Sequence, residues 1–468
     1  MPSLMRCLFC GLLQDEPRGT KTCSRCGGEL AYEQKPLSGG AGSYIKAQME
    51  LDQVNAPAGQ DVDRYVLVTL RTPKEVPARE KAPTKSGHEP LNFTAVLDVS
   101  GSMGGEKINQ AREAVRQALA RLQDGDIFSL VTFSVNEKCL QEPVVIDPNT
   151  RGQIAHAIEK IAAGGNTALC AGLQMGIAKA EKIRQKTNLV LMLSDGQANE
   201  GETDLEKIGT FAALARKQGI TVSALGIGMD YNEALMSNLA SEGGGRFYHL
   251  QDAHQIGPFL TGELGEMVNY TARDAEIVLQ FPKGAALIPL SKAYPSATHD
   301  DRVNVTIGVI PCDVELEIPL RLILPAQNEG AKLSVEGELR FISPADHSLV
   351  TPLNRITMRF VRKAGFQITE GVVKPVAEKV LEQLKATQVM TFSNLRAGRP
   401  GMVAAETRKN LDLLSNYAER LGRERAEAER AEMESSINEM TFDPLAAKLG
   451  LYNANIRSRS TKDFGKKS

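Results

Sequence analysis

The sequence predicts a multidomain protein built around an α/β domain with a doubly wound sheet, over residues 90–265. Three observations predict it. Within residues 90–265, short apolar runs alternate with stretches of helical spacing, the pattern of a parallel sheet covered on both faces. On either side, residues 42–75 and 270–370 switch to strand periodicity punctuated by Pro and Gly, which reads as a β-sandwich. The two ends differ again: paired cysteines lie within residues 1–34, and helical spacing fills residues 372–440.

A chain of 468 residues exceeds one hydrophobic core and suggests two to four domains. Its 42% hydrophobic and 24% charged residues are ordinary for a soluble globular protein. The net charge of −2 creates no global field to draw nucleic acid or membrane. With no Trp and only 5% aromatics, base-stacking platforms are disfavoured too. No run approaches the roughly eighteen apolar residues of a membrane helix. Leu4, Leu8, Phe9, Leu12 and Leu13 mimic a signal peptide, but Arg6 interrupts them, two cysteines lie among them and no small-residue cleavage site follows. A cytoplasmic protein is therefore expected. The cysteines outside the N-terminus, Cys139, Cys170 and Cys312, are expected to be free and buried, as in a reducing compartment.

Taken in order, residues 1–34 hold Cys7 and Cys10 followed by Gly11, then Cys23 and Cys26 followed by Gly27. Each pair offers two thiolates from one turn, and together they suit a single tetrahedral Zn²⁺. Two disulfides or a redox pair are the alternative, with no βαβ context to favour them. The pairs resemble the knuckles of a zinc ribbon. So small a segment would draw its stability from the metal. Basic residues are few here (Arg6, Arg18, Lys21, Arg25), which favours protein docking over nucleic acid.

Residues 35–43 read as a linker, and residues 44–51 and 65–70 as strands, with a turn at Asn55, Ala56 and Pro57 between them. Residues 73–90, with four prolines, read as an exposed connector. The central domain then begins with strand 93–97, followed by helix 107–122, in which Ile108, Ala111, Val115, Ala118, Leu119 and Leu122 keep helical spacing. Strand 127–133, helix 153–161, helix 168–183, strand 189–193, helix 204–218, strand 220–226, a short helix at 233–239 and strand 246–250 complete it. His249 and His254 read as ordinary edge residues, not ligands.

The first strand carries the candidate site. It ends in Asp98, and Ser100 and Ser102 follow on the loop leaving its carboxyl end, where open α/β sheets bind ligands. One carboxylate and two hydroxyls suit a hard divalent cation that wants oxygen ligands. More oxygens come from Thr167, ahead of helix 168–183, and from Asp195, at the exit of strand 189–193.

Asp98-x-Ser100-x-Ser102, a later Thr167 and an Asp195-Gly196 after an apolar strand resemble the metal-ion-dependent adhesion site of von Willebrand factor A (VWA) domains. The resemblance implies that Ser100, Ser102 and Thr167 are direct ligands, and that Asp98 and Asp195 bind directly or through water. It implies Mg²⁺, or Mn²⁺ or Ca²⁺, with an open coordination position that takes an Asp or Glu from a partner protein. Such a domain binds and does not catalyse. Partners such as a ring-shaped AAA ATPase or a kinase or phosphatase module are implied by resemblance alone.

Beyond the central domain, residues 275–281, 302–309, 314–324 and 332–341 read as strands. The strands before it are too few for a stable sheet, so both stretches are expected to build one sandwich with the VWA domain inserted. That arrangement is similar to integrin-type and inter-α-inhibitor-type chains. Val376, Val380 and Leu384, and then Ala404, Leu411, Leu414, Ala418 and Leu421, mark helices. The charged run 423–430 reads as a solvated helix held by i,i+4 pairs in preference to a coiled-coil seam. Residues 441–468 are expected to be a tail, partly disordered, with a basic stretch from 456 onward.

The function expected is an intracellular, metal-dependent interaction scaffold. Two alternatives belong to other classes. A cation and two carboxylates suit phosphoester hydrolysis, but no His, Lys or Cys is tied by sequence to the site as base or nucleophile. A nucleic-acid-associated protein using the ribbon and the basic tail is disfavoured by the near-neutral charge.

Overall fold

The computed structural model describes residues 3–7, 13–16, 30–32, 43–80, 90–195, 200–251, 253–291, 293–364, 366–398 and 400–459. Near the N-terminus, β1 (Ser3–Cys7), β2 (Leu13–Glu16) and β3 (Leu30–Tyr32) form an antiparallel sheet in the order β2-β1-β3. Cys10, Cys23 and Cys26 and the Cys7 side chain lie outside the described residues, and so does the zinc site expected of them.

The chain divides into two compact units, residues 1–81, 271–388 and 406–436, and residues 82–270, 389–405 and 437–468. The first unit opens with β4 (Lys46–Leu51), β5 (Asn55–Pro57) and β6 (Val62–Arg71).

The second unit follows with β7 (Leu91–Asp98), α1 (Glu106–Arg121), β8 (Ile127–Phe133), β9 (Glu137–Val145), α2 (Pro148–Glu159) and α3 (Leu169–Lys182). It continues with β10 (Thr187–Ser194), α4 (Leu205–Lys217), β11 (Ile220–Ile227), α5 (Glu233–Glu242), β12 (Gly244–Leu250) and α6 (Ile256–Val268). The sheet order is β12-β11-β10-β7-β8-β9. Strands β7, β8 and β10 are buried along their whole length, as the near-continuous apolar runs required. Helix starts are fixed by side chains: Asp147 closes a capping box on α2, and Asp204 and Asn232 accept from backbone N–H groups of α4 and α5.

Two features differ from the sequence reading. The sheet is not wholly parallel, because β9 pairs antiparallel with β8. Only Ser134, Val135 and Asn136 separate the two strands, too few for a crossover, so a hairpin is the only available connection. Helix α6 was not read at all: Gly257, Pro258 and Gly265 look like loop signals, yet Ile256, Phe259, Leu260 and Leu264 are buried in the core.

The chain returns to the first unit with β13 (Tyr270–Gln280), β14 (Ala286–Pro289), β15 (Ser296–His299), β16 (Arg302–Pro311), β17 (Glu315–Leu324), β18 (Lys332–Ile342) and β19 (Ser348–Val361). One sheet runs β15-β16-β13-β18-β19-β5 and the other β14-β17-β6-β4. β6 and β17 pair antiparallel from Val62↔Leu324 to Arg71↔Glu315, joining residues far apart in sequence. Val66 and Val68 of one sheet and Ile277 and Leu279 of the other belong to a single apolar cluster. The turn expected at Asn55 is instead the edge strand β5, parallel to β19. An edge position tolerates Pro57, which has no N–H to donate.

Helices α7 (Lys374–Gly398), α8 (Val403–Ala418), α9 (Arg423–Phe442) and α10 (Pro444–Arg459) end the described chain. The charged face of α9 carries Arg423–Glu427 and Arg430–Glu434 pairs. Helix α10 corrects the expected tail: residues 444–459 are helical, including Ile456 to Arg459 from the basic stretch read as disordered. Ala447, Leu451, Tyr452 and Ala454 are buried, and Leu451 and Tyr452 join the core of the second unit. Four apolar positions hidden among charged ones bury enough surface to fix the helix. Cys170 is buried, whereas Cys139 and Cys312 are only half-buried. Among the described residues no helix is long and apolar enough to cross a membrane.

Candidate metal centre

Register places the site. β7 and β10 pair in parallel with Leu97 opposite Leu193, so Asp98 and Ser194 leave adjacent strands at the same level. β8 flanks β7 on the other side, so the chain departs in two directions from this crevice. Helix α3 lies very close to the sheet: a Cβ on Gly172 would stand 2.5 Å from the Phe133 ring, and one on Gly176 2.3 Å from Val96. That approach sets the position of Thr167, two residues ahead of α3.

Three loops are tied together through the backbone. Gly164 N–H donates to Val99 O at 2.7 Å, Gly101 N–H to Gly165 O at 3.0 Å and Val99 N–H to Phe133 O at 2.9 Å. Gly165 has φ of +89°, a left-handed conformation that glycine adopts without penalty.

Three of the five sequence-predicted residues are linked side chain to side chain, and a fourth, Asp98, joins them through a backbone N–H. Ser100 Oγ and Ser102 Oγ are 3.1 Å apart, and Ser102 Oγ donates to Asp195 Oδ1 at 2.8 Å. Asp98 Oδ1 accepts from Ser100 N–H at 2.8 Å, and its Oδ2 accepts from Ser194 Oγ. Thr167 is buried on the loop bonded to Val99 and Gly101. Asn166 beside it donates to Glu200 at 3.1 Å, which brings in the loop after β10.

Sequence reasoning missed Lys107. Its Nζ forms an ion pair with Asp195 Oδ2. The signal was its place in the first turn of α1, five residues after Ser102, close enough to fold back over the strand exits. Ser194, partner of Asp98, was missed as well. His249 lies elsewhere, with Nδ1 2.6 Å from the Tyr231 hydroxyl, and His254 pairs with Glu106 at 2.9 Å.

Asp98 and Asp195 are both fully buried. Burial pushes the Asp98 carboxyl above the usual carboxylate range, bonds from Ser194 and Ser100 pull it back, and the Asp195 charge raises it again. Lys107 already balances Asp195, the Asp98 carboxyl has no cationic partner among its hydrogen bonds to described residues, and the Ser100 and Ser102 hydroxyls add neutral oxygen donors beside them. The donor set fits a hard divalent ion such as Mg²⁺. Among the described residues no three His, Cys, Asp or Glu side chains converge.

Comparison with known proteins bears on the fold of this unit. Residues 92–261 match the model of the von Willebrand factor type A domain. An uncharacterized protein of Synechocystis is 26% identical over 66% of this chain and 75% of its own length. Inter-alpha-trypsin inhibitor heavy chain H1 of Mesocricetus auratus is 28% identical over 48% of this chain, which spans only 26% of that relative. Among solved structures, a von Willebrand factor type A protein from Catenulispora acidiphila superposes with a TM-score of 0.62 at 17% identity, covering 90% of this chain and 98% of the other. That likeness covers both units and the helices, and it concerns the fold. The chain therefore carries a von Willebrand factor type A domain, over residues 92–261.

Proposed function

We propose that this protein captures a partner protein through a divalent cation held at the exits of β7 and β10. VWA domains mediate protein–protein interactions and commonly hold a divalent cation, which is the starting point of the reading. The observation that carries it is the convergence of Asp98, Ser100, Ser102 and Asp195, two buried carboxylates linked through the Ser100 N–H and the two serine hydroxyls, beside buried Thr167. Ser100, Ser102 and Thr167 would hold the ion through neutral oxygens, with Asp98 and Asp195 supplying charge. The cation would supply residual positive charge, which suits an Asp or Glu side chain of the partner.

The reading is one of binding, not catalysis. Lys107, which reaches the carboxylates, is engaged in an ion pair with Asp195. The two sheets of the first unit are read as the β-sandwich that carries the domain, and Cys7, Cys10, Cys23 and Cys26 as a zinc ribbon that docks a further protein.

Capture from extract by the tagged full chain tests this. Binding is expected in Mg²⁺, lost in excess EDTA and restored by Mg²⁺ for the native chain only. Asp98→Ala should be captured by nothing the native chain retains, while keeping its fold. Retention of the same partner in EDTA and by Asp98→Ala would refute a cation-bridged contact. Hydrolysis of a phosphoester by the native chain, absent from Asp98→Ala, would replace the reading with the enzyme.

A further inference from the structure

The first unit contains a cleft of about 420 Å³, lined in part by Gln53, Arg64, Lys363, Phe366, Ile368 and Arg420. That volume lies within the range of small-ligand sites. Two of its linings are buried guanidinium groups: Arg64 is 4% exposed, and the Arg420 side chain 10%. Arg64 spends its donors on carbonyls, giving Nε and Nη2 to Asn55 O and Nη1 to Asp63 O. Arg420 gives Nη2 to Asp63 O at 3.1 Å. These partners are dipoles and do not neutralise charge.

The carboxylates nearby fall short. Asp52, fully buried, stands 3.5 Å from Arg420 Nε and is the counter-ion the two arginines share. Asp63 is already held by Arg321. Asp61 lines the cleft but is exposed, and its Oδ1 accepts from Ala326 N–H at 2.9 Å. Exposed Lys363 adds a further positive charge. Three cationic groups thus face two available carboxylates, and the two buried guanidinium groups share a single buried counter-ion, Asp52, where an unbalanced charge is expensive. Burial also raises the Asp52 carboxyl above its ordinary range, which weakens the one shared counter-ion.

A second observation points the same way. The Gln53 amide nitrogen donates to Ile368 O at 2.9 Å and to Glu370 O at 2.6 Å, which distinguishes it from the amide oxygen. Its Oε1 is buried with no hydrogen-bond donor, while Arg420 Nε and Asp52 Oδ2, 3.5 Å apart, face each other without a hydrogen bond. The wall of the cleft therefore holds a buried unmet acceptor at Gln53 and guanidinium groups that share one counter-ion, beside the apolar Phe366 and Ile368.

We propose that this cleft is a binding site for an organic carboxylate with an N–H or O–H donor beside the carboxyl group and an apolar side chain. The carboxylate binds the Arg420 guanidinium, with the Arg64 charge behind it, the donor approaches Gln53 Oε1 as the amide turns toward the cleft, and the side chain rests on Phe366 and Ile368. Two sources share that chemistry, a free acylated amino acid or hydroxy acid and the C-terminal residue of a polypeptide. The site is independent of the cation centre.

Titration calorimetry on the full chain in EDTA tests it, with N-acetyl-leucine, N-acetyl-leucinamide and an acetylated tripeptide ending in leucine, as free acid and as amide. The free acids should bind and the amides should not. Arg420→Lys keeps the charge beside Asp52 but loses the fork, and should weaken binding about tenfold. Lys363→Glu, at an exposed position, should weaken it as well, and Asp61→Asn should tighten it. These two surface variants decide the matter if Arg420→Lys fails to fold. Equal affinity for acid and tripeptide identifies a free small acid, and tighter binding of the tripeptide identifies a polypeptide end; both support the site. Failure of the native chain to bind either free acid, or equal binding by the native, Lys363→Glu and Asp61→Asn chains, overturns it.

Discussion

His249 shows how burial decides the chemistry of a single residue. Its imidazole is 5% exposed, touches the Tyr231 hydroxyl and has no partner at Nε2. Burial, helped by the Lys448 ammonium, pushes its pKa down to about 4. The unfolded chain then takes up a proton near pH 6.5 that the folded chain refuses until about pH 4. Stability from this group is full above pH 6.5 and is lost as pH falls through that window, by about 3 kcal/mol in all. Urea unfolding at pH 7.5 and pH 5 should show the loss in the native chain and a smaller one in His249→Asn. An unchanged pH dependence in the variant would place the titrating group elsewhere. Gly226 makes a steric point of the same kind, because a Cβ there would lie 2.3 Å from the Tyr231 ring. Gly226→Ala should cost about 1–3 kcal/mol, measured as a lower urea midpoint at unchanged slope.

At the scale of elements, the sequence was most informative where chemistry and periodicity coincided. The run from Phe93 to Asp98 announced both a buried strand and an acidic exit, and β10 repeated the signal at Asp195. Where local signals and tertiary burial conflicted, the reading failed. Gly257 and Pro258 concealed α6, and Pro57 concealed β5, because neither residue reveals whether its neighbours will be buried. Lys107 is marked as a site residue only by its place in the first turn of α1, since an ion pair across 88 positions leaves no mark on spacing. Helix α10 was hidden by its charges, although Lys448 turns out to be buried, donating to Tyr231 O at 2.7 Å and to Glu233 at 3.0 Å. Since Leu451 is fully buried in the core of the second unit, Leu451→Ala should cost about 2–5 kcal/mol. For the same reason a fragment of residues 90–265 should unfold at lower urea than the full chain's second unit. Equal midpoints would show that α10 adds nothing to that core.

At the scale of the whole molecule, the chain leaves its first unit after residue 81 and returns at residue 271, with the VWA domain lying between. The helices that follow contribute segments to both units, residues 406–436 to the first and 437–468 to the second. The long-range pairing of β6 with β17 makes the first unit depend on both sides of the insertion. A chain beginning at residue 272 lacks β4 and β6, leaving β17 with β14 alone. It should fail to unfold cooperatively in urea, and a sharp transition would contradict that dependence. The proposed function rests on the exits of β7 and β10, where Asp98 and Asp195 are both buried. Paramagnetic resonance of Mn²⁺ titrated into the full chain examines this most directly, because it reports an oxygen-ligated ion without any partner. One Mn²⁺ should bind per native chain, be displaced by Mg²⁺ and be absent from Asp98→Ala and Asp195→Ala chains of intact fold. Mn²⁺ binding of equal strength in the native and both variant chains, or none in any, would contradict the cation site.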